Sequence, residues 1–312
     1  MALICGDIGG TKAWLALAEV EGNRVRFLFR QRYECVGFAD FSGLFACFRD
    51  EAPDVPVTGG CLALAGPVED DGMTAHITNL PWTVDARECG AVFGLPPLRL
   101  ANDFAGAAAG IAAVAGEDLV TLQAGEPLAD GVRLVVGAGT GLGMALLVKD
   151  GERWRPLPGE GGHVGFSPQN PIEARIHTAL LQEYGRVTWE RVVSGPGLAA
   201  IHRVLAGEER EPASIAAAAM AGEGSALHAL RVFLAAYGAY AGDMAMATQA
   251  HGGVFLAGGI AGKVLPVLRS SGDFLAAFNA KAQHARLLAR VPVHVVTDEL
   301  LGLKGAALLA AA

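Results

Sequence analysis

Two glycine-rich turns set the terms on which this chain can fold. The first is Gly6-Asp7-Ile8-Gly9-Gly10-Thr11, between the apolar runs Ala2–Gly6 and Ala13–Val20. The second is Gly137-Ala138-Gly139-Thr140-Gly141-Leu142-Gly143, between Val132–Val136 and Leu142–Lys149. Glycine weakens the interior of a helix or strand, so each segment reads as strand, tight turn, strand. Such a hairpin at two separate places points to duplicated halves. Glycine in a turn permits a positive φ and lets backbone N–H groups approach an anion closely. The neighbouring threonine hydroxyls can donate to phosphate oxygens. On these residues alone two readings stay open, plain tight hairpins or phosphate-binding turns, and the matched Gly-Thr pairs favour the second. Neither turn is a Walker A sequence, and neither is a GxGxxG that opens a helix. P-loop and dinucleotide-fold chemistry are therefore disfavoured.

Composition narrows the class. The 42 glycines among 312 residues are roughly twice ordinary usage, and they carry no three-residue period that would suggest collagen. AVILMFWYC residues make up 52% and charged residues 18%, which excludes disorder and promises a large core. The length suits two domains of roughly 150 residues each, or one large domain. Net charge is −8 with no basic run, so no nucleic-acid partner is expected. A mean hydropathy of +0.36 raises the membrane question. The longest uncharged stretch, Met244–Gly262, answers it: Thr248, Gln249, His251 and five glycines divide it into two elements. The N-terminus has no basic segment and runs directly into Asp7, so no signal peptide is expected. Cysteines at 5, 35, 47, 61 and 89 form no CxxC and no Cys/His cluster. Free thiols, no zinc and a reducing, cytoplasmic setting are expected.

The periodicity lays out an α/β chain. Strands are expected at Ala2–Gly6, Ala13–Val20, Arg24–Tyr33, Gly60–Ala65 and Leu98–Ala101. Helices are expected at Asp40–Asp50, Asp85–Gly94 and Phe104–Ala115. A second round begins with strands at Val132–Val136 and Leu142–Lys149. Helices follow at Ile172–Tyr184, Pro196–Leu205 and Ser225–Gln249, then strands at Val254–Ala257 and Val293–Val296. A last helix covers Leu300–Ala311.

Several polar residues sit at the joints of this layout. Asn102-Asp103 falls between a strand and a helix. It reads as a helix cap, and also as a carboxylate at the C-terminal edge of a parallel sheet, where α/β sites lie. The two are compatible. Pro158–Phe166, PGEGGHVGF, holds Glu160 and His163 among four glycines. Such a run cannot be a stable helix, so the Glu-x-x-His spacing is not a helical metal pair. It reads as a loop pressed against a ligand, or as a glycine turn with a surface Glu. Glu190, on an expected helical turn in Thr188–Leu198, reads by itself as a solvated charge. Gly258-Gly259 follows a strand and could lie under a flat ring, or simply join strand to helix.

Taken together, the motifs resemble the bacterial glucokinases of the actin-like sugar-kinase superfamily, nearly end to end. The resemblance rests on GDIGGTK (Gly6–Lys12), LANDF (Leu100–Phe104), GAGTGLG (Gly137–Gly143), LPGEGGHVGF (Leu157–Phe166), ERVVSGPGL (Glu190–Leu198) and VFLAGGI (Val254–Ile260). It implies an α/β, actin-like (ribonuclease-H-like) fold of two domains with a cleft between them. The small domain would span residues 1–107, rejoined by the helix 300–312, and the large α+β domain 108–299. It further implies ATP-dependent phosphorylation of the 6-hydroxyl of glucose, with Mg²⁺, by a cytoplasmic and commonly dimeric enzyme that has no membrane partner.

Carried over by that resemblance, Asp103 is the catalytic base. Asn102, Asp103, Glu160, His163 and Glu190 hold the sugar. Gly9, Gly10, Thr11 and Lys12 face the transferred phosphate, with Asp7 near Mg²⁺ through water. Gly137, Gly139, Thr140 and Gly141 hold the other phosphates, and Gly258-Gly259 lies by adenine. Lys12 stands where an Asn is frequent in this group, and is similar to the related ROK proteins. Those carry a cysteine-rich zinc motif after the Glu-x-x-His loop. Here Pro168-Gln169-Asn170-Pro171 follows instead, which places the chain in the zinc-free branch. A polyphosphate-dependent enzyme or a broader hexokinase is the alternative within enzymes. A non-catalytic sugar sensor is the alternative outside them. No Lys/Arg-rich track for polyphosphate is visible. The phosphate turn at Gly6 leaves no room before it for a helix-turn-helix, and Asp103 argues against a dead sensor.

Overall fold

Alternating apolar residues over the first thirty positions become an antiparallel ribbon of β1 (Ala2–Ile8), β2 (Lys12–Glu21) and β3 (Arg24–Glu34). The structure is a computed structural model describing all 312 residues. The chain forms two units, one of residues 1–116, 153–158 and 298–312, the other of residues 117–152 and 159–297.

In the first unit the ribbon is extended by β4 (Val57–Leu64). A two-stranded pair, β5 (Thr74–His76) and β6 (Thr83–Asp85), stands apart, and β7 (Arg99–Asn102) completes the main sheet. The main sheet runs β3-β2-β1-β4-β7, with β1, β4 and β7 mutually parallel. One face packs on an aromatic core that includes Phe41, Phe45 and Phe48 from the helix Phe41–Glu51. The other is covered by the C-terminal helix Leu301–Ala311, whose Leu303, Ala306 and Ala307 bury against Cys5, Ala16 and Ala63. Small residues on both sides let helix and sheet approach closely.

The second unit repeats the scheme. Its strands are β8 (Leu119–Gln123), β9 (Arg133–Ala138) and β10 (Leu142–Asp150). After β11 (Arg153–Gly159), whose residues 153–158 count with the first unit, come β12 (Gly253–Ala257) and β13 (Val293–Val296). The order is β10-β9-β12-β13-β8, with β9, β12 and β13 parallel. The hairpin β9–β10 followed by a parallel β12 matches the hairpin β1–β2 followed by a parallel β4, so the echo between the glycine turns is a true repeat of topology.

Between these strands lie the helices Pro171–Tyr184, Gly195–Ala206, Pro212–Met220 and Gly224–Ala247. The last has 24 residues and is buried along most of its length. Its Gly238 and Gly242 face the Phe274 and Phe278 carbonyls of the helix Asp273–Asn279, so two backbones touch where a side chain would not fit.

The periodic elements lie where the sequence puts them, most within a residue or two at their ends; β4 starts three residues before the expected Gly60. The helix expected to reach Ala115 stops as an α-helix at Gly110 and tightens into a 3₁₀ turn, Ile111–Ala113. β5, β6, β8 and β11 were not legible, nor were the helix Pro212–Met220 and the short helices Gly259–Lys263, Leu265–Ser271, Asp273–Asn279 and Ala285–Leu288. Short edge strands carry little periodicity, and an alanine run shows no polar face. Four cysteines are buried; Cys47 is half-exposed. No helix is long and apolar enough to cross a membrane.

Candidate active site

The parallel pairing of β1, β4 and β7 brings three strand ends together. Register sets Asp7, Ala63 and Ala101 in one row across the three strands, and Ile8, Leu64 and Asn102 in the next. Asp7 thus lies on the C-terminal edge from which Asn102 and Asp103 emerge. Asn102 caps the helix Asp103–Gly110, its Oδ1 accepting from the Phe104 N–H at 2.9 Å and the Ala105 N–H at 3.4 Å. The Asp103 carboxylate also accepts from the Phe104 N–H, at 2.9 Å. Burial, with a smaller push from the Asp103 charge, raises the Asp7 carboxyl to about 7.

Backbone packing sets this corner. A Cβ on Gly302 would strike the Asp7 carboxylate, so the first turn of the C-terminal helix rests on that side chain. In the same way Gly305 sits on the Gly106 carbonyl and Gly110 on the Leu301 carbonyl. Gly302 and Gly305 belong to the element farthest in sequence from Asp7, so no local signal could have named them.

Gly9, Gly10 and Thr11 form the β1–β2 turn, in which the Gly9 N–H donates to the Lys12 carbonyl at 2.9 Å. The Cys35 N–H donates to the Thr11 carbonyl at 2.8 Å. Thr11 and Lys12 are exposed, and Lys12 stands opposite Glu34 across the ribbon. No glycine of this turn or of Gly137–Gly143 has a positive φ, contrary to the conformational reason the sequence suggests. Close approach is the reason instead. A Cβ on Gly10 would stand 2.9 Å from the Thr78 carbonyl, and one on Gly141 would stand 2.6 Å from the Glu190 carboxylate.

In the second unit the corresponding turn is braced from two sides. The Gly139 N–H donates to the Gly141 carbonyl, and the Gly195 N–H donates to the Gly139 carbonyl, both at 2.8 Å. The Leu142 N–H donates to Glu190 Oε2 at 2.9 Å. Thr140 is exposed, and a small pocket beside it is lined by Glu190, Ser194 and Pro196. Parallel pairing of Ala257 with Gly137 sets the next turn alongside. There Gly258 has φ +82°, with its Cβ position 2.8 Å from the Ala138 carbonyl; only glycine fits both conditions. Gly258 and Gly259 are exposed. The residues expected at the nucleotide in this unit therefore share one sheet edge.

Glu160 and His163 flank a single 3₁₀ turn, Gly161–His163. Their side chains are exposed and 3.7 Å apart. Buried Gly161 and Gly162 press the turn onto Met144 and the Leu142 carbonyl, as a glycine-rich loop can. The same loop is tied to the segment that carries Glu190. The Phe166 N–H donates to the Val187 carbonyl and the Trp189 N–H to the Val164 carbonyl, both at 3.0 Å. Glu190, half-buried on a 3₁₀ turn, is not the solvated charge that its sequence alone suggests.

Two supporting side chains escaped the sequence reading. Ser194 caps the helix Gly195–Ala206 and is buried. Its hydroxyl accepts from the Gly197 N–H at 3.1 Å and donates to the Glu190 carbonyl at 2.7 Å. The Ser-Gly-Pro triplet inside ERVVSGPGL is its signature. Tyr240 is fully buried under Gly161, and only the tertiary structure brings it there.

A family model described as Glucokinase matches residues 4–312. A glucokinase from a Nostoc species is 37% identical, with 99% of this chain and 98% of the relative covered. The solved structure of a glucokinase from an Antarctic psychrotroph is similar with a TM-score of 0.87 and 29% identity, covering 99% of this chain and 98% of that one. A ROK family glucokinase from Streptomyces griseus, solved in complex with glucose and AMPPNP, is similar with a TM-score of 0.66 and 21% identity, over 100% and 99% of the two chains. That likeness concerns the fold, which is the actin-like α/β fold of these kinases.

Proposed function

The chain belongs to the glucokinase family, and on that premise we propose that it transfers the γ-phosphate of ATP to the 6-hydroxyl of D-glucose through the residues described above. It is an ATP-dependent sugar kinase. The observation that carries the site assignment is the pair Asp7 and Asp103, two carboxylates on one sheet edge that act on each other electrostatically.

Asp103 takes the proton of the 6-hydroxyl as its oxygen attacks the γ-phosphorus, and ADP leaves. A base held in this way contributes on the order of 10²–10⁴ in rate. The transition state is loose, so most catalysis is positioning and charge neutralisation. Gly10 and Thr11 present backbone and hydroxyl donors to the transferred group, in a turn that the Gly9 N–H closes on the Lys12 carbonyl. Thr140 and Gly141 do the same for the remaining phosphates, Gly137 and Gly139 give that turn its close approach, and Gly258-Gly259 passes by adenine. Asn102, Glu160, His163 and Glu190 pair with sugar hydroxyls. A mismatched sugar leaves one of them empty, at a cost of about 1–3 kcal/mol.

No cluster of three or more His, Cys, Asp or Glu side chains exists to hold a metal by protein ligands alone. Two carboxylates on one sheet edge suit Mg²⁺, which keeps most of its waters and takes one or two carboxylates. Asp7 would hold it through water, where it would neutralise charge on the phosphates. We place the enzyme in the cytoplasm as a homodimer feeding glycolysis, consistent with its five free thiols.

A coupled assay for glucose 6-phosphate, with ATP and Mg²⁺, tests the reading. A panel of glucose, mannose, fructose and N-acetylglucosamine should rank glucose first in kcat/KM. A preference for fructose or N-acetylglucosamine would overturn the choice of substrate.

A further inference from the structure

The helix Gly224–Ala247 carries one polar atom that the fold leaves without use. Tyr240 is 0% exposed, and its hydroxyl finds no hydrogen-bond partner among the protein's own groups. The other large buried phenol on this helix, Tyr237, donates to the Val136 carbonyl at 3.3 Å. An orphaned buried hydroxyl costs stability, and a phenylalanine would fill the same space without that cost.

The position of this hydroxyl gives the reason for keeping it. A Cβ on Gly161 would stand 2.8 Å from Tyr240 Oη, so the hydroxyl lies directly beneath the residue that follows Glu160 in the Glu160–His163 turn. The Tyr240 ring packs on Trp189, the neighbour of Glu190, with centroids 5.6 Å apart. Burial and the Glu190 charge both push the phenol upward, so it stays a donor across the working pH range. Glu190 spends Oε2 on the Leu142 amide at 2.9 Å. A carboxylate has about four acceptor sites, so it can hold that amide, a sugar hydroxyl and a phenol together.

We propose that Tyr240 is a positioning residue for the sugar, its buried hydroxyl donating to the Glu190 carboxylate when the sugar is bound and fixing that carboxylate against the Glu160–His163 turn. The proposal rests on the reading of Glu190 as a sugar-binding residue. The ground-state cost of the orphaned hydroxyl is then recovered only in the loaded enzyme, which converts it into selectivity for the sugar-bound state.

The test is Tyr240→Phe in the full-length enzyme, with Glu190→Gln and the double variant beside it. Tyr240→Phe should raise the glucose KM on the order of tenfold, the scale of a lost hydrogen bond to a charged group. The ATP KM should not move. The melting temperature without sugar should be equal or higher, while the increase on adding glucose should shrink. Placed on Glu190→Gln, Tyr240→Phe should add little. An unchanged glucose KM in Tyr240→Phe, a melting temperature lowered without sugar, or full additivity in the double variant overturns the proposal. If Glu190→Gln itself leaves the glucose KM unchanged, the sugar-site reading fails and the proposal with it. A loss in Glu190→Gln with none in Tyr240→Phe sinks the proposal alone.

Discussion

The Leu142 amide donates to the Glu190 carboxylate at 2.9 Å, joining the second glycine turn to a residue expected at the sugar. The same carboxylate occupies the space that a side chain at Gly141 would need. One acidic group therefore shapes the turn expected at the nucleotide phosphates while it stands among the residues proposed to hold the sugar.

Glu190→Ala should accordingly weaken both substrates. Loss of the acceptor leaves the Leu142 N–H without its partner, a penalty of about 1–3 kcal/mol on the turn. The KM for ATP should rise along with that for glucose. Glu190→Gln keeps an acceptor oxygen and should spare ATP. Steady-state kinetics with each substrate varied in turn would show the difference, and equal ATP values in wild type and Glu190→Ala would refute the coupling.

Asp103→Asn keeps the shape and the acceptor oxygen but removes the proposed base. Turnover should fall on the order of 10²–10⁴ while glucose affinity largely survives. Rates from the coupled assay, with glucose binding measured separately by calorimetry, decide it. Near-wild-type turnover would remove Asp103 from the role.

Asp7 makes the folded chain sensitive to pH. Its carboxyl is raised from 3.8 to about 7 in the folded state. Between these values the folded state binds more protons than the unfolded, so stability falls as pH rises and levels off above about 7. The full effect is at most a few kcal/mol. Asp7→Asn should abolish that slope and be the more stable protein at pH 8 in chelator-treated buffer. Parallel denaturant titrations at pH 5 and pH 8 that gave wild type and variant the same pH dependence would contradict this.

Gly305→Ala should destabilise, although alanine is the better helix former by up to about 1 kcal/mol. A methyl at Gly305 meets the Gly106 carbonyl, and overpacking of this kind costs about 1–3 kcal/mol. The melting temperature should drop by a few degrees. Gly224→Ala, at a helical glycine with open space around it, is the control and should not lower it.

Gly139→Ala separates folding from ligand binding. No atom lies within 4 Å of its Cβ position, and its φ is not positive, so the protein itself has room for the methyl. The melting temperature should hold while the ATP KM rises roughly tenfold. If the ATP KM stays at the wild-type value, the turn is a plain hairpin.

What the sequence settled was local. The period of apolar residues and the glycine turns placed β1, β2, β9, β10 and the 24-residue helix, because backbone geometry and turn chemistry act over a few residues. The cap at Asn102 was legible for the same reason, and the motifs from Gly6 to Ile260 pointed to the family. The tertiary structure decided what those residues meet. Asp7 is raised to about 7 because distant packing buries it beside Asp103, with Gly302 on its carboxylate. Glu190 is a brace rather than a surface charge because Leu142, 48 residues away, turns its amide toward it. Tyr240 reads as one more core aromatic until Gly161 is set on its hydroxyl. Burial and unmet hydrogen bonds are properties of a three-dimensional neighbourhood, and no run of neighbours along the chain contains them.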